Sequence, residues 1–231
     1  MSRRELIAMR CGLYGKLPSK RDFIAFSAPR AFLRLWEPWI EHGLAFGHAR
    51  GSEEEWAEAF NSAPIWRFWL GPALCGEAFI GAFMPSVDAL GRMYPLTLIG
   101  AAAGEERLDP PDVDPRELWF ASVEQLLLDA LDLETPLPAL LARLKTLCAS
   151  PAPDENTGVL AGAFARMRAE LQDCAPDEAS FWWTIGGPAF PPLALAQIGM
   201  PPEAAFADML SRRPPETAAP DAPLQTVTQP G

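Results

Sequence analysis

The sequence has few of the side chains from which metal centres are usually built. Its 231 residues include only 2 histidines and 4 cysteines. The cysteines stand far apart, at positions 11, 75, 148 and 174, and form no C-x-x-C pair. No zinc pattern of accepted spacing can be written from them, so we predict no metal site. We expect Cys11 and Cys75 to be small core residues beside strands rather than reactive thiols.

Long apolar runs and an excess of positive charge are also missing. No stretch of 18 apolar residues occurs, and no long apolar segment follows the basic residues 3 and 4. Neither a membrane span nor a secretory signal is therefore predicted, and we expect a cytoplasmic protein. The 30 acidic residues outnumber the 19 basic ones, which gives a formal net charge of −11. This balance argues against binding to nucleic acid or to an anionic membrane surface.

The common catalytic signatures are absent as well. Ser86 lies in Pro-Ser-Val-Asp without the preceding glycine of a nucleophile elbow. Segment 12–16, GLYGK, has the glycines and the lysine of a phosphate-binding loop. It matches neither the G-x-x-x-x-G-K-[ST] nor the G-x-G-x-x-G spacing. The acidic run 53–55 follows Ser52 and is more typical of a capped helix start than of a metal site. We predict no catalytic residue and no cofactor; a hydrolase that uses the Ser86, Asp88 and Arg92 loop is kept as an alternative.

The pattern of apolar residues predicts a mixed α/β protein. Strands are predicted at 10–16, 65–70, 77–84, 95–102 and 181–185, and residues 193–198 fit either a short strand or a loop. The short connections between the middle strands favour antiparallel pairing. Helices are predicted from about residue 29, at 52–60, 116–131, 138–148 and 160–172, and from about 201 to 210. Pro38 should kink or break the first of them near Glu37.

These elements indicate an α/β fold, a three-layer α-β-α sandwich with a mixed, largely antiparallel sheet. Chain order alone would also allow a two-layer α+β form. We predict a single domain over residues 1–211. Residues 212–231 contain mainly Pro, Ala, Thr and Gln without periodicity and are predicted to form a disordered, Pro-rich tail.

The most specific feature is the segment MPSVDALGRMYPLT at 84–97, a polar, turn-rich loop between two apolar runs. Gly91 can supply a positive φ, and Ser86 and Asp88 can accept hydrogen bonds from nearby backbone N–H groups. The loop carries a carboxylate, Asp88, and a guanidinium, Arg92, at the edge of the predicted sheet. Arg67 lies on a largely apolar strand and needs a carboxylate or carbonyl partner, for which Asp88 and Asp22 are candidates.

The tryptophans are predicted to be core residues whose N–H groups have acceptors. In the Trp182-Trp183 pair, adjacent side chains of a strand point to opposite faces of the sheet. Trp66 and Phe68 should likewise face one way, and Arg67 and Trp69 the other.

Four segments resemble the TagF family of type VI secretion-associated regulators. Segment 84–97 is similar to its "MPSVDxxGRxYPLT" signature, and GLYGKLPSKRDF at 12–23 is similar to its "GKLPxxGDF" opening. PIWRF at 64–68 and SFWWT at 180–184 resemble two further strand motifs of the family. Arg21 is a departure, because it stands where the family usually has glycine, and a loop that needs positive φ there would be strained.

The resemblance implies the sandwich architecture and a function without catalysis. It implies a post-translational negative regulator of the type VI secretion system that binds the forkhead-associated-domain protein of that system. A structural or accessory subunit of the apparatus is the alternative, and the oligomeric state is left open. The candidate residues for partner binding, or for a structural polar loop, are Lys16, Ser19, Asp22, Arg67, Ser86, Asp88 and Arg92.

Removal of the residues after about Arg213 should leave the fold intact. The removed segment has prolines at 214, 215, 220 and 223 and almost no large apolar side chain, so its burial cannot offset its ordering entropy. Thermal unfolding of the full and the shortened chain measures this. A melting temperature several degrees lower in the shortened chain would contradict the prediction.

Overall fold

A seven-stranded antiparallel sheet forms the centre of the molecule. The structure is a computed structural model, and it describes residues 8–104, 107–149, 158–171, 175–187 and 190–210. The strands are β1 Met9–Gly15, β2 Ile24–Phe26, β3 Trp66–Leu70, β4 Phe79–Met84, β5 Leu96–Ala102, β6 Ala179–Thr184 and β7 Leu193–Ile198. They lie in the order β2-β1-β5-β4-β3-β6-β7. Every strand pair is antiparallel, so the sheet predicted as mixed and largely antiparallel is antiparallel throughout the described residues.

Helices cover both faces of this sheet. They are α1 Arg30–His48, α2 Glu53–Ser62, α3 Pro72–Cys75, α4 Glu117–Asp129, α5 Leu137–Ala149, α6 Gly158–Glu170 and α7 Glu203–Met209, with a 3-10 turn at Pro176–Glu178. Residues of α1, α2 and α7 pack on one face, which we call the α1 face. Residues of α4, α5 and α6 pack on the other, the α4 face. The predicted α-β-α sandwich is confirmed, and the strand at 179–184 returns to the same sheet by pairing with β3.

The two faces are filled according to the alternation of the strand residues. Trp66 and Phe68 pack into the α1 face, whereas Trp69 packs into the α4 face. Trp182 and Trp183 separate in the same way, as the sequence predicts. Several indole N–H groups have acceptors: Trp36 donates to Thr97, Trp39 to Pro201, Trp66 to Met209, Trp69 to Leu108 and Trp182 to Ser180. The N–H groups of Trp119 and Trp183 find no acceptor among the described residues.

The first helix and two very short elements differ from what the sequence predicts. Helix α1 continues across Pro38, so the expected break near Glu37 is absent. Burial of Phe32, Trp36, Trp39 and Ile40 on the same helix outweighs the hydrogen bond that proline cannot donate. The sequence analysis missed β2 and α3, which have three and four residues and are too short for a periodicity signal. Of the two alternatives for residues 193–198, the strand is found. Ser52 caps α2 as predicted, and Glu55 completes a capping box.

Cys11 is not a plain core residue. It lies on β1 and forms a disulfide with Cys148 of α5, with the two Cα atoms 6.0 Å apart. The pairing joins residues that are 137 positions apart, and it depends on α5 packing against β1, which spacing alone does not reveal.

No helix in the described parts of the chain combines the length and the apolar character that a membrane crossing requires. The predicted tail, 212–231, lies outside the described residues. Its disorder and the domain boundary at residue 211 therefore stay predictions.

Replacement of Gly43 by alanine should destabilise the protein although alanine is the better helix former. Gly43 lies where α1 packs on α7, and a methyl group there would overlap the fully buried ring of Phe206. Such overpacking costs about 1–3 kcal/mol of the free energy of unfolding. Gly162→Ala on α6 is the matched control, because the space around it is open, and it should stabilise by about 0.5–1 kcal/mol. Urea unfolding of both variants measures the difference, and equal effects would contradict the prediction.

Candidate functional site

The two loops that carry the most specific sequence segments lie side by side. One joins β1 to β2 and spans residues 16–23, and the other joins β4 to β5 and spans residues 85–95. They meet because β1 pairs with β5, which places Tyr14 opposite Thr97. A bridge between Val87 and Met93 makes the second loop a small hairpin, and Gly91 has the expected positive φ of 78°. We call the two loops together the loop surface.

Asp88 is the centre of the loop surface. Its side chain is buried, and Oδ1 accepts hydrogen bonds from the backbone N–H groups of Leu90 at 2.9 Å and Arg92 at 3.0 Å. Oδ2 lies 2.6 Å from Nε of Arg92 and 3.2 Å from Nζ of Lys16. One carboxylate therefore holds the turn of its own loop and binds a cation from each loop.

These contacts stabilise the ionised form of Asp88. Burial alone would raise the pKa of its carboxyl group, but the backbone N–H groups of Arg92 and Leu90 oppose this. Together with the side chains of Arg92 and Lys16 they hold the pKa well below its usual range. The site thus contains a permanent buried negative charge, compensated by two cations.

Further hydrogen bonds fasten the two loops to each other. Ser86 donates its hydroxyl to the carbonyl oxygen of Lys16 at 2.8 Å. The backbone N–H of Ala89 donates to the carbonyl oxygen of Lys20 at 2.8 Å, and Nη2 of Arg92 donates to the carbonyl oxygen of Arg21 at 2.6 Å. The buried Nζ of Lys16 also lies 3.3 Å from the carbonyl oxygen of Arg92. With this many cross-links, the loops form one preorganised unit.

The outer side of the loop surface is basic and partly apolar. The side chain of Arg92 is 56% exposed although Asp88 holds one edge of its guanidinium. Phe23 is 48% exposed and stacks on Tyr14, with its edge against Tyr94 at a centroid distance of 4.7 Å. Leu90 is exposed as well, as are Lys20 and Arg21. An acidic chain therefore presents a basic patch with two exposed apolar side chains at this point.

Two of the predicted site residues lie in the loops without joining the network. Ser19 and Asp22 are exposed, and neither side chain makes a hydrogen bond to another described residue.

Arg67 is not part of the loop surface, and the prediction that Asp88 or Asp22 pairs with it is wrong. Its buried guanidinium points into the α4 face, where Nε lies 2.6 Å from Glu124 and Nη1 lies 2.7 Å from Glu117. Burial would lower the pKa of Arg67, but the hydrogen bond and charge of Glu124, with a contribution from Glu117, raise it. Alternation along β3 gave the correct face, but the carboxylates come from helix α4, whose packing position the sequence does not specify.

The arrangement around Ser86 is that of a structural hydroxyl. Its proton is directed to the carbonyl oxygen of Lys16, and no histidine contacts it among the described residues. His42 lies on α1, where its Nδ1 is 3.7 Å from Glu203.

Burial, with the nearby charge of Glu77, raises the pKa of Cys75 to about 12, so its thiol is protonated at neutral pH. No three metal-binding side chains converge within the described ranges.

Comparison with known proteins identifies a family and a solved structure that resembles this chain. A family model described as the TagF N-terminal domain, type VI secretion system-associated, matches residues 12–147. The chain belongs to the TagF family. The crystal structure of PA0076 from Pseudomonas aeruginosa PAO1 is 29% identical in sequence with a TM-score of 0.70, and the match covers 93% of this chain and 99% of that one. No curated protein sequence matches the chain.

The loop surface joins two separate TagF motifs. The opening motif supplies Lys16 and Phe23. The "MPSVDxxGRxYPLT" signature supplies Ser86, Asp88 and Arg92. Arg21, which replaces the usual TagF glycine, causes no strain, because only Ser27 and Arg116 among the described non-glycine residues have positive φ. Instead, the carbonyl oxygen of Arg21 accepts a hydrogen bond from Arg92.

Sequence reasoning missed the aromatic side of this TagF surface. Tyr14, Phe23 and Tyr94 form one aromatic group, and Leu90 lies exposed on the neighbouring loop. Phe23 stands at the end of the opening motif, in a loop and outside any helix or strand with a periodic apolar pattern. This position in the sequence indicates that Phe23 is not an ordinary core residue.

The Asp88→Asn variant should lose stability at neutral pH and show a weaker acid dependence. A carboxylate with a lowered pKa in the folded state stabilises the protein above its unfolded pKa of about 4, and this contribution disappears as pH falls through the folded value. The free energy of unfolding of the parent protein should therefore fall more steeply below about pH 4 than that of the variant. Urea unfolding at neutral and acidic pH measures both curves.

Asp22→Asn is the matched control, because its carboxylate lies in the adjacent loop but is exposed. It should follow the parent curve at both pH values. If Asp88→Asn also follows the parent curve, the buried carboxylate does not stabilise the loops.

Proposed function

We propose that this TagF protein is a non-catalytic, post-translational negative regulator of a bacterial type VI secretion system. It acts by binding another protein, and the forkhead-associated-domain protein of the system is the target. Membership of a family associated with type VI secretion supports a role in that secretion system. The regulatory role and the target come from the resemblance in four ordered motifs, and the cytoplasmic location comes from the lack of a predicted membrane span or secretory signal.

One observation in this chain supports binding at the loop surface. The half-exposed guanidinium of Arg92 is held from behind by the buried carboxylate of Asp88, next to exposed Phe23 and Leu90. Arginine and aromatic side chains are enriched among residues that dominate binding energy at protein interfaces. A side chain that is already oriented loses less conformational entropy on binding. Asp88 therefore acts as a positioning residue and Arg92 as a contact residue.

The charge of the loop surface favours an acidic patch on the partner. Within residues 16–23 and 85–95, four cations stand against two carboxylates, whereas the whole chain has a net charge of −11. Asp88, one of the two carboxylates, is buried and compensated. Opposite charge on a partner would speed association and fix its orientation more than it would add affinity.

Deletion of the gene should raise export of the secretion system's tube protein under conditions in which the system is otherwise quiet. Complementation with the parent chain should restore repression, and complementation with Arg92→Ala should not. Arg92→Ala removes the exposed contact but leaves Lys16 and the two backbone N–H groups on Asp88, so the fold should be retained, which urea unfolding checks. Export of the tube protein and pull-down of the forkhead-associated-domain protein measure the two effects.

Arg143→Ala is the matched control for this experiment. Its side chain is 50% exposed and paired with Asp129, much as Arg92 is paired with Asp88, but it lies on α5. It should repress and bind like the parent chain. Unchanged export in the deletion strain would refute the regulatory role, whereas full repression by Arg92→Ala would refute only the assigned surface.

A further inference from the structure

Strand β7 is an edge of the sheet that no other part of the described chain covers. All six of its residues pair with β6, from Leu193 opposite Thr184 to Ile198 opposite Ala179. Along its other side, no backbone group of the described residues donates to it or accepts from it. The first five residues are only half-buried and Ile198 is 55% exposed, whereas every residue of β3, β4, β5 and β6 is buried.

This edge lacks the devices that normally prevent strand addition. Proteins protect sheet edges with short strands, charged side chains, proline or bulges. Strand β7 reads LALAQI, which contains neither charge nor proline, and its register with β6 is one-to-one without a bulge. The opposite edge is different. Strand β2 has three residues and is followed by Ser27, which has a φ of 49°. The ammonium of Lys145 lies 5.8 Å from the ring of Phe26 in this strand.

The distribution of charge favours a second copy of the same chain as the occupant of the β7 edge. Two chains with a net charge of −11 repel each other over most of their surfaces. The hairpin of β6 and β7 lies within residues 179–202, which contain no charged residue at all. The hairpin itself therefore brings no like charges into contact when two copies approach along this edge.

We infer that two copies of this chain pair through β7, antiparallel and related by a two-fold axis perpendicular to the sheet. Residues directly opposite each other in such a pair must share a face of the sheet. Leu193 and Leu195 are directed to the α1 face, and Ala194 and Ala196 to the α4 face. A pair centred on Leu195 satisfies this condition, because it places Leu195 opposite its own copy and Ala194 opposite Ala196 of the second chain.

This pairing is self-complementary in both shape and hydrogen bonding. Leu195 meets Leu195 and Leu193 meets Gln197 on one face, and Ala194 meets Ala196 on the other. Alternate residues of β7 that direct N–H and C=O groups away from β6 gain partners, so the edge no longer presents unpaired backbone groups. The two sheets become one continuous sheet. The interface is separate from the loop surface, which lies at the ends of β1 and β5, and the inference does not rest on the regulatory role.

The test is the mass of the full-length chain in solution, measured by light scattering during gel filtration over a range of concentrations. The parent chain should have the mass of two copies. The double variant Gln197→Lys/Ile198→Lys should have the mass of one copy, because it places two lysines from each chain at the edge. Both positions are at least partly exposed, so the fold should be retained, which far-ultraviolet circular dichroism checks.

Leu118→Lys/Gln125→Lys is the matched control. It makes the same change of charge on two exposed residues of α4 and should remain dimeric. The hydrogen-exchange rates of the backbone amides of 193–198 should fall as the concentration of the parent chain rises. In the β7 variant these rates should not depend on concentration.

Three outcomes would overturn the inference. One is a parent chain with the mass of a single copy at every concentration. The second is a dimer that the β7 lysines leave unchanged. The third is protection of 193–198 that does not depend on concentration, which would mean that another part of the same chain covers the edge.

Discussion

Burial of the central strands on both faces is the constraint on which the rest of the structure depends. Every residue of β3 is buried, with aromatic side chains on both sides of the sheet. Such a strand requires cover above and below, so a two-layer arrangement cannot satisfy this sequence. Arg67 is the one charge in this strand, and its compensation by Glu124 and Glu117 fixes where α4 can lie. Helix α4 is therefore placed by electrostatics as well as by apolar packing.

A second buried charge organises the loop surface in the same manner. Asp88 is compensated by Lys16 and Arg92 and by two backbone N–H groups, so its burial does not leave an unpaired carboxylate. The two cations differ in exposure: Lys16 is buried, whereas much of Arg92 remains in solvent. The same carboxylate thus closes the junction of two loops and orients the side chain that we propose as a contact.

Much of this fold could be predicted from the sequence, because it follows from local periodicity. Alternation assigned the faces of Trp66, Arg67, Trp182 and Trp183 correctly, and the polar loop at 84–97 located Asp88 and Arg92. Contacts between distant segments could not be predicted. The disulfide of Cys11, the partner of Arg67 and the pairing of Lys16 with Asp88 all depend on which elements become neighbours. Pro38 shows the same limit, since tertiary packing decides whether its helix continues.

The order of strands has a consequence for when the loop surface comes into existence. Strands β3, β4 and β5 follow one another within residues 66–102 and pair as neighbours, so they close only short loops. Strand β1 ends at Gly15 and its partner β5 begins at Leu96, so their pairing closes a much longer loop. The larger loop-closure entropy favours later docking of β1. Lys16 and Phe23 arrive only with β1. A chain that has folded its central meander but not yet docked its first strand therefore has no complete loop surface, and binding there requires that β1 is paired with β5.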